Sequence, residues 1–239
     1  MNPGVLRFCA WSGPLFMLLF LIAMIFAVPL IPPTPPSLGA AEIGQFYKDH
    51  SVGIRVASAL MMYGCAFGWV WSSCVAVWTW KMEGSMPVLS VAQIPCGVFS
   101  FGGTYFTCIA WASAAFRPDR PVELIYLMND QGWFWIVMMG SCAVIQMIFI
   151  GVAVLNDKSA EPIFPRWVGY FNIWVGVLQT PGVMMAFFHD GPFAWNGLFA
   201  FWLPLNAFTA WVIVTTWAML RATRREEVRM EARLALITN

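Results

Sequence analysis

Charge is scarce in this sequence. Asp, Glu, Lys and Arg make up 10% of its 239 residues, against about 25% in an ordinary soluble domain. What charge there is falls between six uncharged runs: Phe8–Ala41, Val56–Trp80, Gly84–Phe116, Gln131–Asn156, Trp167–Phe188 and Gly191–Leu220. That pattern excludes a water-soluble core wrapped in polar surface. It also excludes a membrane barrel, whose strands alternate apolar and polar residues with period two; LLFLIAMIFAVPLI does not alternate. The runs hold no Asp, Glu, Lys, Arg or His, which counts against an ion-coupled transporter or a pump. No C-x-x-C occurs among the six cysteines, and none of the six falls in a segment assigned to an outer loop, so zinc, redox and disulfide motifs are absent. Net charge is +1 and points to no nucleic-acid partner.

What is present is hydrophobic length. One helix crosses a bilayer with roughly 20 apolar residues and a hairpin needs about 40 plus a turn, so each run reads as one crossing. The chain is therefore expected to be all-α, an integral membrane bundle of six transmembrane helices forming a single domain over 1–239. The spans are about 13–31, 56–79, 91–115, 132–154, 168–188 and 197–220. The first run is not followed by an A-x-A cleavage site and reads as a retained span rather than a signal peptide. Lys and Arg set the orientation. Nine of them (Arg7, Lys81, Lys158, Arg166 and five in the tail) share the side of both termini, against four on the other, which places both termini in the cytoplasm.

IPPTPPS makes a stiff exit from the first span, and Ser37 is the expected cap of the helix that follows. Over about 38–50, Ala40, Ile43, Phe46, Tyr47 and His50 form one helical stripe, as in a short helix lying on the outer membrane surface. FRPDRPVELIYLMNDQGW reads as an outer loop. Gly64 and Gly68 form G-x-x-x-G, and Gly102 and Gly103 lie in a small-residue stretch of the third span; such residues let helices approach closely. Pro181 and Pro204 are expected to bend the fifth and sixth spans. Trp11, Trp78, Trp80, Trp111, Trp133, Trp135, Trp167, Trp195 and Trp217 lie near span ends, as in an aromatic belt, whereas Trp69, Trp71, Trp174, Trp202 and Trp211 lie deeper. Beyond 220 a cytoplasmic helix is expected, with Arg221, Arg224 and Arg225 suited to anionic lipid headgroups and Glu226 and Arg229 able to pair at i,i+3.

Chemistry is concentrated in few residues. The only two histidines are His50 and His189, and the orientation above puts both on the outer face. Asp190 adjoins His189, and Asp49, Asp119, Arg120, Glu123 and Asp130 share that face. A histidine beside a carboxylate suits general-base work, which makes His189, Asp190, His50 and Asp130 the candidate catalytic residues. His50, His189 and Asp190 are the candidate metal ligands, although no metal is expected. HDGP is equally good turn chemistry, with Asp190 or Asn196 capping the next segment. No cofactor follows from these residues.

FYKDHSVGIR, MNDQGWFW, PIFPRWVGYFNIW and GPFAWNGLFAFWLP together resemble an uncharacterised group of bacterial six-span membrane proteins, from about Phe46 to Arg221. The resemblance implies the span count and a bacterial inner-membrane location, and brings no activity or cofactor. Three functional readings stay open: an accessory or scaffold subunit of a larger membrane assembly that binds a lipid or other lipophilic molecule; a membrane enzyme acting on a lipophilic substrate through the outer His/Asp cluster; and a passive transporter whose path is lined by Gln179, Thr180, Pro181, Pro204 and Asn206. The expected partners are membrane lipids and other membrane subunits.

Overall fold

The computed structural model describes residues 2–238. The chain is all-α. Helix α1 (Pro3–Ile22) starts with Pro3 in its first turn and the Asn2 side chain accepting from the Gly4 N–H at 2.9 Å. Proline suits that position because the first N–H groups of a helix lack partners. A wider π turn, Ala23–Ala27, ends it. Helix α2 (Ala40–Asp49) falls where the apolar stripe places the surface helix. Its cap is Gly39, not Ser37: the Glu42 carboxylate reaches back to the Gly39 N–H at 2.9 Å. The acid three residues on gives the half of a capping box that satisfies the cap's own N–H.

Helices α3 (Ser51–Glu83) and α4 (Val88–Phe116) form the centre of the bundle. Next come α5 (Val122–Met138) and α6 (Gly140–Asn156), nearly collinear across a break at Met139. α5 begins about ten residues before the fourth expected span, because Pro121 starts a helix in what reads as loop. α7 (Arg166–Gln179) tightens into a 3-10 segment, Thr180–Phe187. Pro181 causes this: it has no N–H for the Val177 carbonyl, and the Thr180 hydroxyl bonds that carbonyl instead. A second π turn, Leu198–Trp202, leads into α8 (Leu203–Thr238).

Among the described residues four stretches are long and apolar enough to cross a membrane: Pro3–Ala27, Ser51–Glu83, Val122–Asn156 and Leu198–Leu236. The protein is a multi-pass membrane protein. Gly68 packs against the Phe101 ring of α4, Gly64 against Phe16 of α1, and Gly103 against Met139 and the Trp135 carbonyl, whereas Gly102 has nothing within 4 Å.

Tryptophan burial varies along the expected belt. Trp78, Trp111 and Trp133 are buried in protein, while Trp174, placed deep by its sequence position, is exposed. Span position sets depth in the bilayer but not which way a helix face points. Gly132 shows why Trp111 is enclosed: a Cβ there would sit 1.9 Å from its Nε1, so the indole fills the space a side chain would take.

Candidate functional site

One end of the bundle gathers α2, the start of α5 and the 188–197 loop. Tyr47 on α2 donates to Asn129 Oδ1 at 3.4 Å, and Asn129 Nδ2 donates to Asp130 at 3.3 Å. The Trp111 indole donates to the Asn129 carbonyl at 3.3 Å, and Trp195 in the loop donates to the Thr34 carbonyl at 2.8 Å. Burial raises the Tyr47 phenol above its usual value, and the nearby Asp130 charge adds to this; the phenol is a neutral donor here. Asp130 is half-buried and lies within electrostatic reach of His189.

The other candidates of this face are arranged differently. His50 lies against the Phe46 ring, with centroids 4.5 Å apart, and its Nδ1 is 3.0 Å from the Phe46 carbonyl. His189 and Asp190 are exposed. Gly191 takes φ +75°, a left-handed turn conformation that favours glycine. Gly197, with no side-chain bond, caps the segment after the turn in place of Asp190 or Asn196. Among the described residues no three His, Cys, Asp or Glu side chains come together where a metal ion could be held.

The opposite end is tied by charge. Arg7 pairs with Glu227, Lys81 with Glu226 at 2.8 Å, and Glu226 with Arg229 at 3.3 Å, the last at the i,i+3 spacing of the sequence. Arg225 reaches Glu161 and the Pro162 carbonyl, both at 3.0 Å, and Arg229 also binds Glu161. Hydrogen bonds from Arg229 and then Arg225 hold the Glu161 carboxyl below its ordinary value. Arg225 is thus engaged with protein. Arg221 lies over the Trp217 ring, 5.5 Å from its centroid, and Arg224 is exposed.

Between these ends is a cavity of about 110 Å³, which sequence reasoning did not identify as such. It forms where three helices lose regularity: at the Met139 break, at the start of the 3-10 segment, and at the second π turn. Gly140, Gln179, Gly182, Ala200 and Pro204 at these breaks line it. Phe16, Phe20, Phe101, Phe201 and Phe208 supply most of the aromatic wall. Its polar groups are few: Ser100, Thr104 and Gln179. Gln179 Nε2 donates to the Pro204 carbonyl at 2.9 Å, tying two broken helices together. The buried Ser100 hydroxyl has no partner in the protein. Mostly apolar walls with a few convergent polar groups are the usual make-up of a small-molecule site. Of the residues expected to line a bent path, Gln179 and Pro204 do line the cavity; Thr180 and Asn206 are exposed, each bonded to its own helix backbone.

The fold and these features define a multi-pass helical membrane protein with a partly open, mostly apolar cavity. No family model, no curated protein and no solved structure matches the chain.

Proposed function

We propose that the chain is an integral membrane protein of six crossings that holds a small lipophilic molecule in this cavity, as a non-catalytic subunit of a larger bacterial inner-membrane assembly. The observation that carries the binding reading is the cavity itself, aromatic-walled and polar only at Ser100, Thr104 and Gln179. A dry apolar cavity of about 150 Å³ is known to take up benzene, so this volume suits one ring or a short acyl segment. The polar groups favour an occupant with a carbonyl or hydroxyl. In support of six crossings, α4 spans 29 residues, or about 43 Å at 1.5 Å per residue. The α7 and 3-10 stretch adds 22 residues over 166–187. The charged contacts also alternate between the two ends of the bundle in chain order. With the arginine-rich end inside, both termini are cytoplasmic. Arg221 and Arg224 then face the inner headgroups.

Photolabelling tests the binding reading. A small apolar diazirine in proteoliposomes should label Phe101 or Phe201, and an excess of the natural lipid extract should compete. Labelling confined to lipid-exposed residues such as Trp174 would contradict it.

A second reading rests on Asp130 and His189, which lie within electrostatic reach of each other at the outer end. A carboxylate and an imidazole in the same region could serve in general-base work on a lipophilic substrate. Loss of turnover in a folded His189→Ala protein would favour that reading over the binding subunit.

A further inference from the structure

Ser90, Gln93, Gly97, Ser100 and Thr104 recur on α4 at intervals of three and four, so they share one face of that helix. That face points into the bundle, and Ser90 and Gln93 are almost fully buried. At its lower end the Glu83 carboxylate accepts from the Leu89 and Ser90 backbone N–H groups, at 2.9 and 2.7 Å. Ser90 Oγ lies 2.9 Å from Thr79 Oγ1, and Gln93 Nε2 donates to the same Thr79 oxygen at 2.6 Å. One turn further, Gln146 Nε2 donates to Ser72 Oγ at 2.8 Å. This pair sits directly over Gly97, where a Cβ would come within 2.0 Å of the Ser72 oxygen. Another turn brings Ser100 and the cavity wall. Each step is about one helical turn of 5.4 Å, a spacing that one water molecule bridges.

This ladder is incomplete as protein alone. Gln93 Oε1, Gln146 Oε1 and Ser100 Oγ are buried with no partner among the described residues. Buried amide oxygens without a donor are costly, and such groups are normally met by bound water making about three hydrogen bonds. The next residues of the same face behave differently. Thr107 donates to the Gly132 carbonyl at 2.8 Å and Trp111 to the Asn129 carbonyl at 3.3 Å. Trp133 Nε1 also lacks a partner among the described residues at that end; its ring is stacked on Trp195 and edge-on to Trp111. The unpartnered amide oxygens thus lie on the Glu83 side of the cavity, while Thr107 and Trp111 on the other side are bonded to protein.

We propose that a file of bound water runs from Glu83 along α3, α4 and α6 to the cavity and ends there. Water then reaches a ligand in the cavity from the Glu83 end. The ligand clause rests on the binding reading above; the water file does not. Ion conduction is not part of it, since the file carries no charged group inside Glu83.

The test is Ser100→Cys protein in nanodiscs, exposed to millisecond X-ray radiolysis in ¹⁸O-labelled water, with peptide-resolved mass spectrometry at position 100. Labelling is expected, and it should fall several-fold when Gln93→Leu and Gln146→Leu are added. No labelling at position 100, or labelling unchanged by the leucine pair, overturns the proposal. Should the combined variant fail to fold, high-resolution density of the unaltered protein decides. Water within hydrogen-bond distance of both glutamine oxygens supports the file, and a dry seam overturns it. Neither outcome bears on whether the cavity holds a lipophilic molecule, which its own mass measurement reads separately.

Discussion

Gln179 Nε2 lies 2.9 Å from the carbonyl oxygen of Pro204. The contact joins the last residue of α7 to the first turn of α8, at the two places where proline interrupts a span. Broken helices inside a membrane leave backbone groups that protein must satisfy. Here one side chain does so and at the same time lines the cavity.

Gln179→Leu removes that tie and one of the cavity's few polar groups. Hydrogen bonds between membrane helices are worth about 1 kcal/mol, so a modest fall in thermal midpoint is expected. Ligand retention should fall more sharply than stability. Thermal unfolding followed alongside ligand mass would separate the two effects.

Two glycines of α4 should respond oppositely to the same substitution. At Gly97 an added Cβ would meet Ser72 Oγ at 2.0 Å and Gln146 Nε2 at 2.7 Å. Overpacking of this kind costs about 1–3 kcal/mol, and Gly97→Ala should be destabilised by that order. At Gly102 nothing lies within 4 Å, so Gly102→Ala should be neutral or slightly stabilising, because alanine is the better helix former. Equal midpoints for the two variants would contradict the packing described.

Docking of the C-terminal half of α8 should depend on pH through Glu161. Its folded-state pKa lies below the ordinary 4.5 because Arg229 and Arg225 bond the carboxylate. A depressed carboxylate contributes docking that is fully present above its unfolded value and is lost as pH falls through the folded value. Docking should thus be constant around neutrality and weaken only in acid. Glu161→Gln should loosen it at every pH. Distance measurements between spin labels at positions 158 and 233 check both statements.

Filling the cavity should be tolerated by the fold. Ala143 lies in its wall, and Ala143→Phe should occupy the space a ligand takes. The expected result is an unchanged or raised midpoint with loss of ligand. A strongly lowered midpoint would mean that the space is too small or already filled by protein.

Helix content was legible because charge marks the ends of the apolar runs. The surface helix over 38–50 matches Ala40–Asp49, since a stripe with helical spacing on a short polar segment has no competing reading. The stretch 117–131 was less legible. Its acids and prolines read as loop, yet Pro121 opens α5, and Glu123 and Asp130 lie on that helix. The cavity was half legible. Pro181 and Pro204 signalled bends, but the third break, at Met139, carries no proline; Met139 packs closely against Gly103 there. Nor does a run of apolar residues say which of them face each other. That left Trp111 and Trp133 assigned to a belt, although both are buried among aromatic rings. The histidines were prominent because they are rare; position alone gave no sign that His50 turns onto Phe46 while His189 stays exposed, within electrostatic reach of Asp130.

The most direct test of the central claim is native mass spectrometry of the protein drawn into nanodiscs from its own membrane. A bound small lipophilic mass on the unaltered chain, absent from Ala143→Phe, is the predicted result. A bare chain, or a bound mass that Ala143→Phe retains, would contradict the cavity as the binding site.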